Sequence, residues 1–238
     1  MALPQVVLPT YELEIPSSGK NLKYRPFVVK EEKLLLLALE TNDEKEVENA
    51  VRNLLKNCIQ TKNIKLEELA IFDLEYIFLQ IRAVSVGETV EMNITCKDDN
   101  ETIVKYVLNL TEVKVKKSEN HSNKILLTDT IGMIMKYPDF DDFVRTSIIG
   151  EPATADSVIE AMASCIDQIF DGEEVYDSST TSKKEFIDWV EGLTNQQFEK
   201  VRQFFEDTPV LEHTFTLMNP KTGVESEYTI SGLTNFFG

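Results

Sequence analysis

Basic residues are scarce in this chain. Twenty-four lysines and arginines stand against 41 aspartates and glutamates over 238 residues, a formal charge of −17 and a pI near 4.6. Such a surface repels phosphate backbones and anionic lipid headgroups. Lys114, Lys116 and Lys117 are too few to line a nucleic-acid groove. No apolar run approaches the length of a bilayer span. No apolar segment follows a basic start, so a secretion signal is not expected. Cysteine is limited to Cys58, Cys96 and Cys165, widely spaced and odd in number. They read as buried, reduced thiols of a reducing compartment, not as a disulfide framework. Without a secretion signal, the glycosylation-type triplets at Asn93, Asn100, Asn109 and Asn120 carry little weight as glycan sites.

Histidine is scarcer still. His121 falls in a polar stretch and His213 on a strand face. These two and the cysteines are too scattered for a zinc site. A phosphate-binding G-x-x-x-x-G-K-S/T loop and a nucleophile elbow are both missing. The stretch DQIFDGEEVYDS, residues 167–178, puts Ile169 where a calcium-loop ligand belongs and Ser178 where the bidentate glutamate belongs. It fails the EF-hand spacing. No catalytic, cofactor-binding or metal-binding residue is assigned. The richest acidic groups are Glu31, Glu32, Asp139, Asp141 and Asp142. A carboxylate-dependent hydrolase or transferase would have to bring such groups together by folding.

What is present is an ordinary globular balance, 42% hydrophobic and 27% charged. Tyr11, Leu13 and Ile15 alternate, Ser17-Ser18-Gly19-Lys20 turns the chain, and Leu22 and Tyr24 return, which predicts a hairpin. A helix over Glu31–Glu40 carries the run LLLLAL. Thr41-Asn42-Asp43-Glu44 reads as a capping box. Behind it Val47, Ala50, Val51, Leu54, Leu55, Cys58 and Ile59 mark one helical face. A third helix, Leu66 to Val84, carries polar stripes Asp73/Gln80 and Glu75/Arg82 on nearly opposite sides. It therefore has two apolar faces and is expected to lie between layers. Gly87 ends it.

Val90 to Cys96 and Tyr106 to Leu110 form a second hairpin. The polar segment Lys116–Lys124 is the best candidate internal break. ILLTDTIGMIMKYP mixes strand and loop. Pro138 should start a helix through Phe140, Phe143 and Val144, with Asp139, Asp141 and Asp142 in its first turn. Val158 to Ile169 reads as a helix, and DGEEVYD as an extended excursion. Ser182-Lys183-Lys184-Glu185 and Thr194-Asn195-Gln196-Gln197 head two further helices. A last hairpin runs from Leu211 to Leu217 and returns through Val224, Tyr228 and Ile230. It loosely resembles the middle hairpin, by duplication or by convergence. The order predicts an α+β fold, helical layers with several antiparallel β-hairpins. The chain divides into residues 1–117 and 118–238, or forms one continuous domain. Phe204, Phe205, Phe236 and Phe237 cluster late in the chain, as a core or as an aromatic partner-binding plug.

Five strings in order carry a resemblance: KYRPFVVKEEKLLLLALE, IFDLEYIFLQIRAVSVGE, CIDQIFDGEEVY, FFEDTPVLEHTFTLMNPKTG and SGLTNFFG. Together they resemble the base plate protein family of T4-like contractile-tailed bacteriophages, across nearly the whole chain. The resemblance implies a non-enzymatic role in building the baseplate hub inside the infected cell. The partners would be other hub or tail proteins, with neither nucleic acid nor membrane. The chain would act as a departing assembly factor or as a resident subunit of the tail baseplate. Oligomeric state is left open. Some relatives carry paired cysteines in hairpins like the last one. Here Leu217 and Thr222 flank that turn and Cys96 has no nearby mate, so metal binding is not carried over, and the resemblance implies no cofactor.

Overall fold

The computed structural model describes residues 6–41, 43–118, 121–149 and 154–236. Its elements confirm the α+β expectation. A first hairpin pairs β1 (Tyr11–Glu14) with β2 (Asn21–Tyr24). Helices α1 (Val29–Thr41), α2 (Glu44–Cys58) and α3 (Ile71–Val86) follow. The middle hairpin pairs β3 (Thr89–Thr95) with β4 (Ile103–Asn109). Strand β5 (Lys114–Lys116) precedes β6 (Lys124–Leu126) and β7 (Ile131–Met135). Next come α4 (Phe140–Phe143), a π-helical turn at Val144–Ile149, and α5 (Ala155–Ser164). Strands β8 (Ile166–Asp171) and β9 (Glu174–Asp177) lead to α6 (Lys183–Glu191) and α7 (Asn195–Glu206). The last hairpin pairs β10 (Val210–Met218) with β11 (Glu225–Ser231), and a 3-10 turn spans Leu233–Phe236.

All strand pairings are antiparallel. The sheets run β1-β2, β3-β4, β11-β10-β5 and β6-β7-β8-β9. The three hairpins close alike. Gly19, Asn100 and Gly223 donate their amides to Ile15, Cys96 and Asn219 carbonyls at 2.8, 2.9 and 2.8 Å. Each of the three has a left-handed φ, +68°, +55° and +78°, which glycine and asparagine tolerate best. Because the first hairpin shares this closure, the turn alone is no mark of duplication between the other two.

The buried side chains form two main cores. The first gathers Leu22, Val51, Leu55, Leu74, Ile77, Ile81, Leu108, Phe140, Leu211 and Phe236, so the last hairpin joins the N-terminal helices. The second gathers Ile125, Met133, Met162, Ile166, Phe186, Val190, Val201 and Phe204 around the four-stranded sheet. A small third cluster, Cys96, Phe215, Leu217 and Tyr228, joins the middle and last hairpins. There the Lys97 amide donates to the Tyr228 hydroxyl at 2.9 Å, and Asp98 accepts from Asn219 and Thr222.

Helix α3 is sandwiched as its two apolar faces predict. It packs against α4, β5, β10 and the last 3-10 turn, with Asp73 and Glu75 buried. Asp73 accepts the Ser17 amide at 2.9 Å and so pins the first hairpin's turn to the helix. The second Asp73 oxygen is buried without a hydrogen bond, and burial raises its carboxyl above the usual range.

Four local expectations need correction. Helix α3 begins at Ile71, not Leu66; Leu66–Glu68 form a separate 3-10 turn that delivers Leu66 into the core. The box at Thr41 is not formed. Thr41 ends α1, its hydroxyl donating to the Ala38 carbonyl at 2.7 Å. Asp43 caps α2 instead, accepting from the Lys45 and Glu46 amides; Asn42, within that motif, lies outside the described residues. Asp139, not a proline-led turn, caps α4, with Asp142 completing a capping box. The helix read over Val158–Ile169 stops at Ser164, and Ile166–Asp171 is a strand paired on both sides. Its register slips between Ile134 and Met135, leaving Asp167 as an extra residue. A bulge of one residue puts Ile166 and Ile169 on one side of a strand, a spacing that otherwise belongs to a helix. The boxes at Ser182 and Thr194 form as read. Two residues of the polar segment 116–124, Glu119 and Asn120, lie outside the described residues.

Candidate functional site

A cleft of about 830 Å³ opens where the two main cores meet. Its walls are Glu67–Ala70 before α3, the 121–123 segment, the end of β7 with Lys136–Pro138, Asp139 and Asp142 of α4, and Ser164, Cys165 and Asp167. Of the five candidate carboxylates, Asp139 and Asp142 line it; Glu31, Glu32 and Asp141 do not.

The two that meet there are engaged with the helix they start. Asp139 accepts the Asp141 and Asp142 amides at 3.0 and 3.2 Å. Asp142 accepts the Asp139 amide at 3.4 Å and pairs with Arg145. Burial raises the Asp142 carboxyl, as it does that of Asp141. Asp141 belongs to another network. Arg52 of α2 reaches Glu48 at 2.7 Å, Asp141 at 3.4 Å, and Glu67, with its guanidinium 4.1 Å over the Phe140 ring. This cation joins α2, the 3-10 turn before α3, and α4.

Glu31 sits elsewhere, buried at the start of α1. Its carboxylate takes both Arg25 nitrogens at 2.7 and 3.0 Å and the Val28 amide at 2.9 Å. The Arg25 hydrogen bond holds its carboxyl below the usual range despite burial. Glu32 is half-exposed one residue on. The acids are thus divided between two helix starts, where Glu31, Asp139, Asp141 and Asp142 are engaged in caps or ion pairs.

The other chemical candidates are packed. The His121 ring packs against Tyr137 and Phe204, at 5.5 and 4.9 Å, as one corner of a triangle of rings, and burial lowers its pKa, which favours the neutral ring. His213 meets the Tyr106 hydroxyl at 3.1 Å through Nε2. Cys58 and Cys165 are buried, their thiols pushed up to about 12, and so are poor nucleophiles at neutral pH. Burial also raises Cys96. Among the described residues no group of three or more His, Cys, Asp or Glu is placed to hold a metal ion. No helix among them is long and apolar enough to cross a membrane.

The late phenylalanines serve different places. Phe204 is buried in the second core, with Phe205 half-buried and edge-on to it at 5.1 Å. Phe236 is fully buried in the first core. Phe237 lies outside the described residues. The exposed apolar side chains gather instead on α1, where Val29, Leu34, Leu36, Leu37 and Leu39 face water. The signal for this surface was the LLLLAL run itself, too continuous to fit one buried stripe of a surface helix.

No curated protein and no solved structure matches the chain. The sequence model described as "T4 bacteriophage base plate protein" matches residues 8–238, nearly the whole chain. The ordered strings, the α+β architecture and this match lead to one conclusion: the chain belongs to the T4 bacteriophage base plate protein family.

Proposed function

We propose that this chain is a non-enzymatic assembly protein of the phage tail baseplate hub, which binds hub components during tail morphogenesis in the host cytoplasm. The family match over residues 8–238 carries the reading. Three features support it. Asp139 and Asp142, the candidate carboxylates that line the cleft, are committed to capping and ion pairing. The thiols are protonated and buried. The open leucines of α1 give an apolar surface of the kind that protein partners cover. The charge of −17 disfavours nucleic acid as the partner. Phe205, a half-buried aromatic of α7, is a second contact candidate.

Co-expression with each hub protein tests the proposal. A co-purifying complex, or a raised yield of assembled hub, is expected; neither outcome across the hub set would end it. Mass spectrometry of finished particles then separates a departing factor, absent, from a resident subunit, present in stoichiometric amount.

A further inference from the structure

Strands β7, β8 and β9 turn one face toward α6. On that face Ile169 pairs with Tyr176, and Asp171 with Glu174. Helix α6 lays Phe186 into the second core and sets Trp189 against it. Together they bound an open pocket of about 380 Å³, whose walls include Ile169, Tyr176, Phe186, Trp189, Asp171 and Glu185. Tyr176 is 48% exposed, and its hydroxyl donates to Glu174 at 2.9 Å. Both charges that line the pocket are negative. Glu185 accepts the Ser182 amide and hydroxyl through Oε2 alone. Among the described residues no cation pairs with Glu185 or Asp171. The bases nearby are engaged or turned away. Lys183 pairs with Glu160 at 3.8 Å. Lys184 lies five residues before Trp189, about 140° round the helix. Lys124 covers Phe170 at 5.1 Å, and Phe170 alternates to the opposite face of the sheet from Ile169 and Asp171.

We propose that this pocket takes one arginine side chain from a protein partner, its guanidinium against the Trp189 and Tyr176 rings and held by the Asp171 and Glu185 carboxylates. Indole and phenol faces attract a cation, and two carboxylates without a cation attract it further. An apolar occupant would cover those carboxylates without pairing them, which costs free energy. An anion would be repelled. A guanidinium is flat enough to stack on a ring while its edge donates to a carboxylate, which a lysine ammonium does less well. The volume is near the lower end of ligand sites, about 300–1,000 Å³, room for one long side chain and not for a helix. The inference rests on the assembly reading for the partner's identity, and on the pocket alone for its chemistry.

Trp189 is the single tryptophan, so its emission reports the pocket directly. The full chain is titrated with a blocked glycine–arginine–glycine peptide. The citrulline peptide, which keeps the shape and loses the charge, is the control. Asp171→Asn and Tyr176→Leu each remove one wall, both at exposed positions. Glu173→Gln removes a charge outside the pocket. Circular dichroism establishes that all three variants fold. The arginine peptide should change Trp189 emission saturably, and the citrulline peptide should not. Asp171→Asn and Tyr176→Leu should each weaken binding at least about threefold, and Glu173→Gln should leave it unchanged. No response to the arginine peptide, or an equal response to citrulline, overturns the proposal. So does equal weakening by Asp171→Asn and Glu173→Gln, which would trace the attraction to the overall charge. Tighter binding of the lysine peptide overturns the assignment to arginine. If hub proteins co-purify undiminished with the double variant Asp171→Asn, Tyr176→Leu, the pocket is not a partner contact and the assembly reading stands. If the arginine peptide binds as described but no hub protein co-purifies with the wild type, the pocket stands and the assembly reading falls.

Discussion

The two main cores are built on opposite plans. The second takes its buried residues from one continuous stretch, Ile125 to Phe204. The first begins at Leu13 and is completed by Leu211, Leu233 and Phe236. A core of local contacts closes short loops as it forms, whereas one that needs distant segments bears a larger loop-closure cost. The first core also carries the buried ions, Asp73, Glu75 and the Arg25–Glu31 pair, and the open leucine helix. The half with long-range closure is thus the half that is costly to assemble and carries the open leucine helix. The compact second half supports it through the Phe72–Tyr137 contact at 5.1 Å.

This contrast can be broken experimentally, because the single tryptophan, Trp189, lies against the second core. Its fluorescence reports that core, while far-ultraviolet circular dichroism reports both. The largest effect is expected from Phe236→Ala, which should cost the first core about 3–5 kcal/mol. Urea unfolding should show the dichroism midpoint falling well below the Trp189 midpoint; midpoints that fall together would mean one cooperative unit. Arg25→Met should cost about 3 kcal/mol by leaving the buried Glu31 carboxylate unpaired. In the wild type the pair holds Glu31 below its usual pKa, so its contribution is complete above the ordinary carboxylate range. It is lost as pH falls through the lowered value. The deficit of Arg25→Met should therefore shrink on acidification, and a constant deficit in pH-dependent urea melts would contradict the assignment.

Asn219→Ala sharpens the comparison at the hairpin tips. Asn219 is 1% exposed and donates to both Asp98 oxygens at 3.0 Å. Its loss should cost about 1–2 kcal/mol and show in the dichroism transition, leaving that of Trp189 unchanged. The smallest effect, opposite in sign, is expected from Asp73→Asn. The folded Asp73 carboxyl is raised by burial, so its ionisation favours the unfolded chain above the ordinary carboxylate pKa. The variant should gain stability that opens above that value and is complete above the raised one. Equal melting of both proteins at neutral pH would show that the helix start repays the buried charge.

Much of this was legible in the sequence. The three hairpins were, because alternation and a turn residue with positive φ at Gly19, Asn100 and Gly223 are local features. The boxes at Ser182 and Thr194 were too, since each is complete within four residues. The two faces of α3 followed from its polar stripes. What failed depended on partners far along the chain. Strand β8 looked helical because a bulge imitates helical spacing. Strand β5 went unread because only pairing with β10 makes three residues a strand. The late phenylalanines were seen as a group, yet Phe204 and Phe236 belong to different cores, which no linear pattern encodes. The open face of α1 was half-legible: the run was visible, its exposure was not.

On the proposed reading this chain works by presenting surface to other baseplate proteins. Hydrogen–deuterium exchange on the full chain, alone and with the hub proteins added, tests it most directly. Slowed exchange is expected over residues 29–58, the span of α1 and α2, when the right partner is present. Unchanged exchange over the whole chain with every hub protein would contradict it; protection confined to the cleft around Asp139 and His121 would move the contact away from α1.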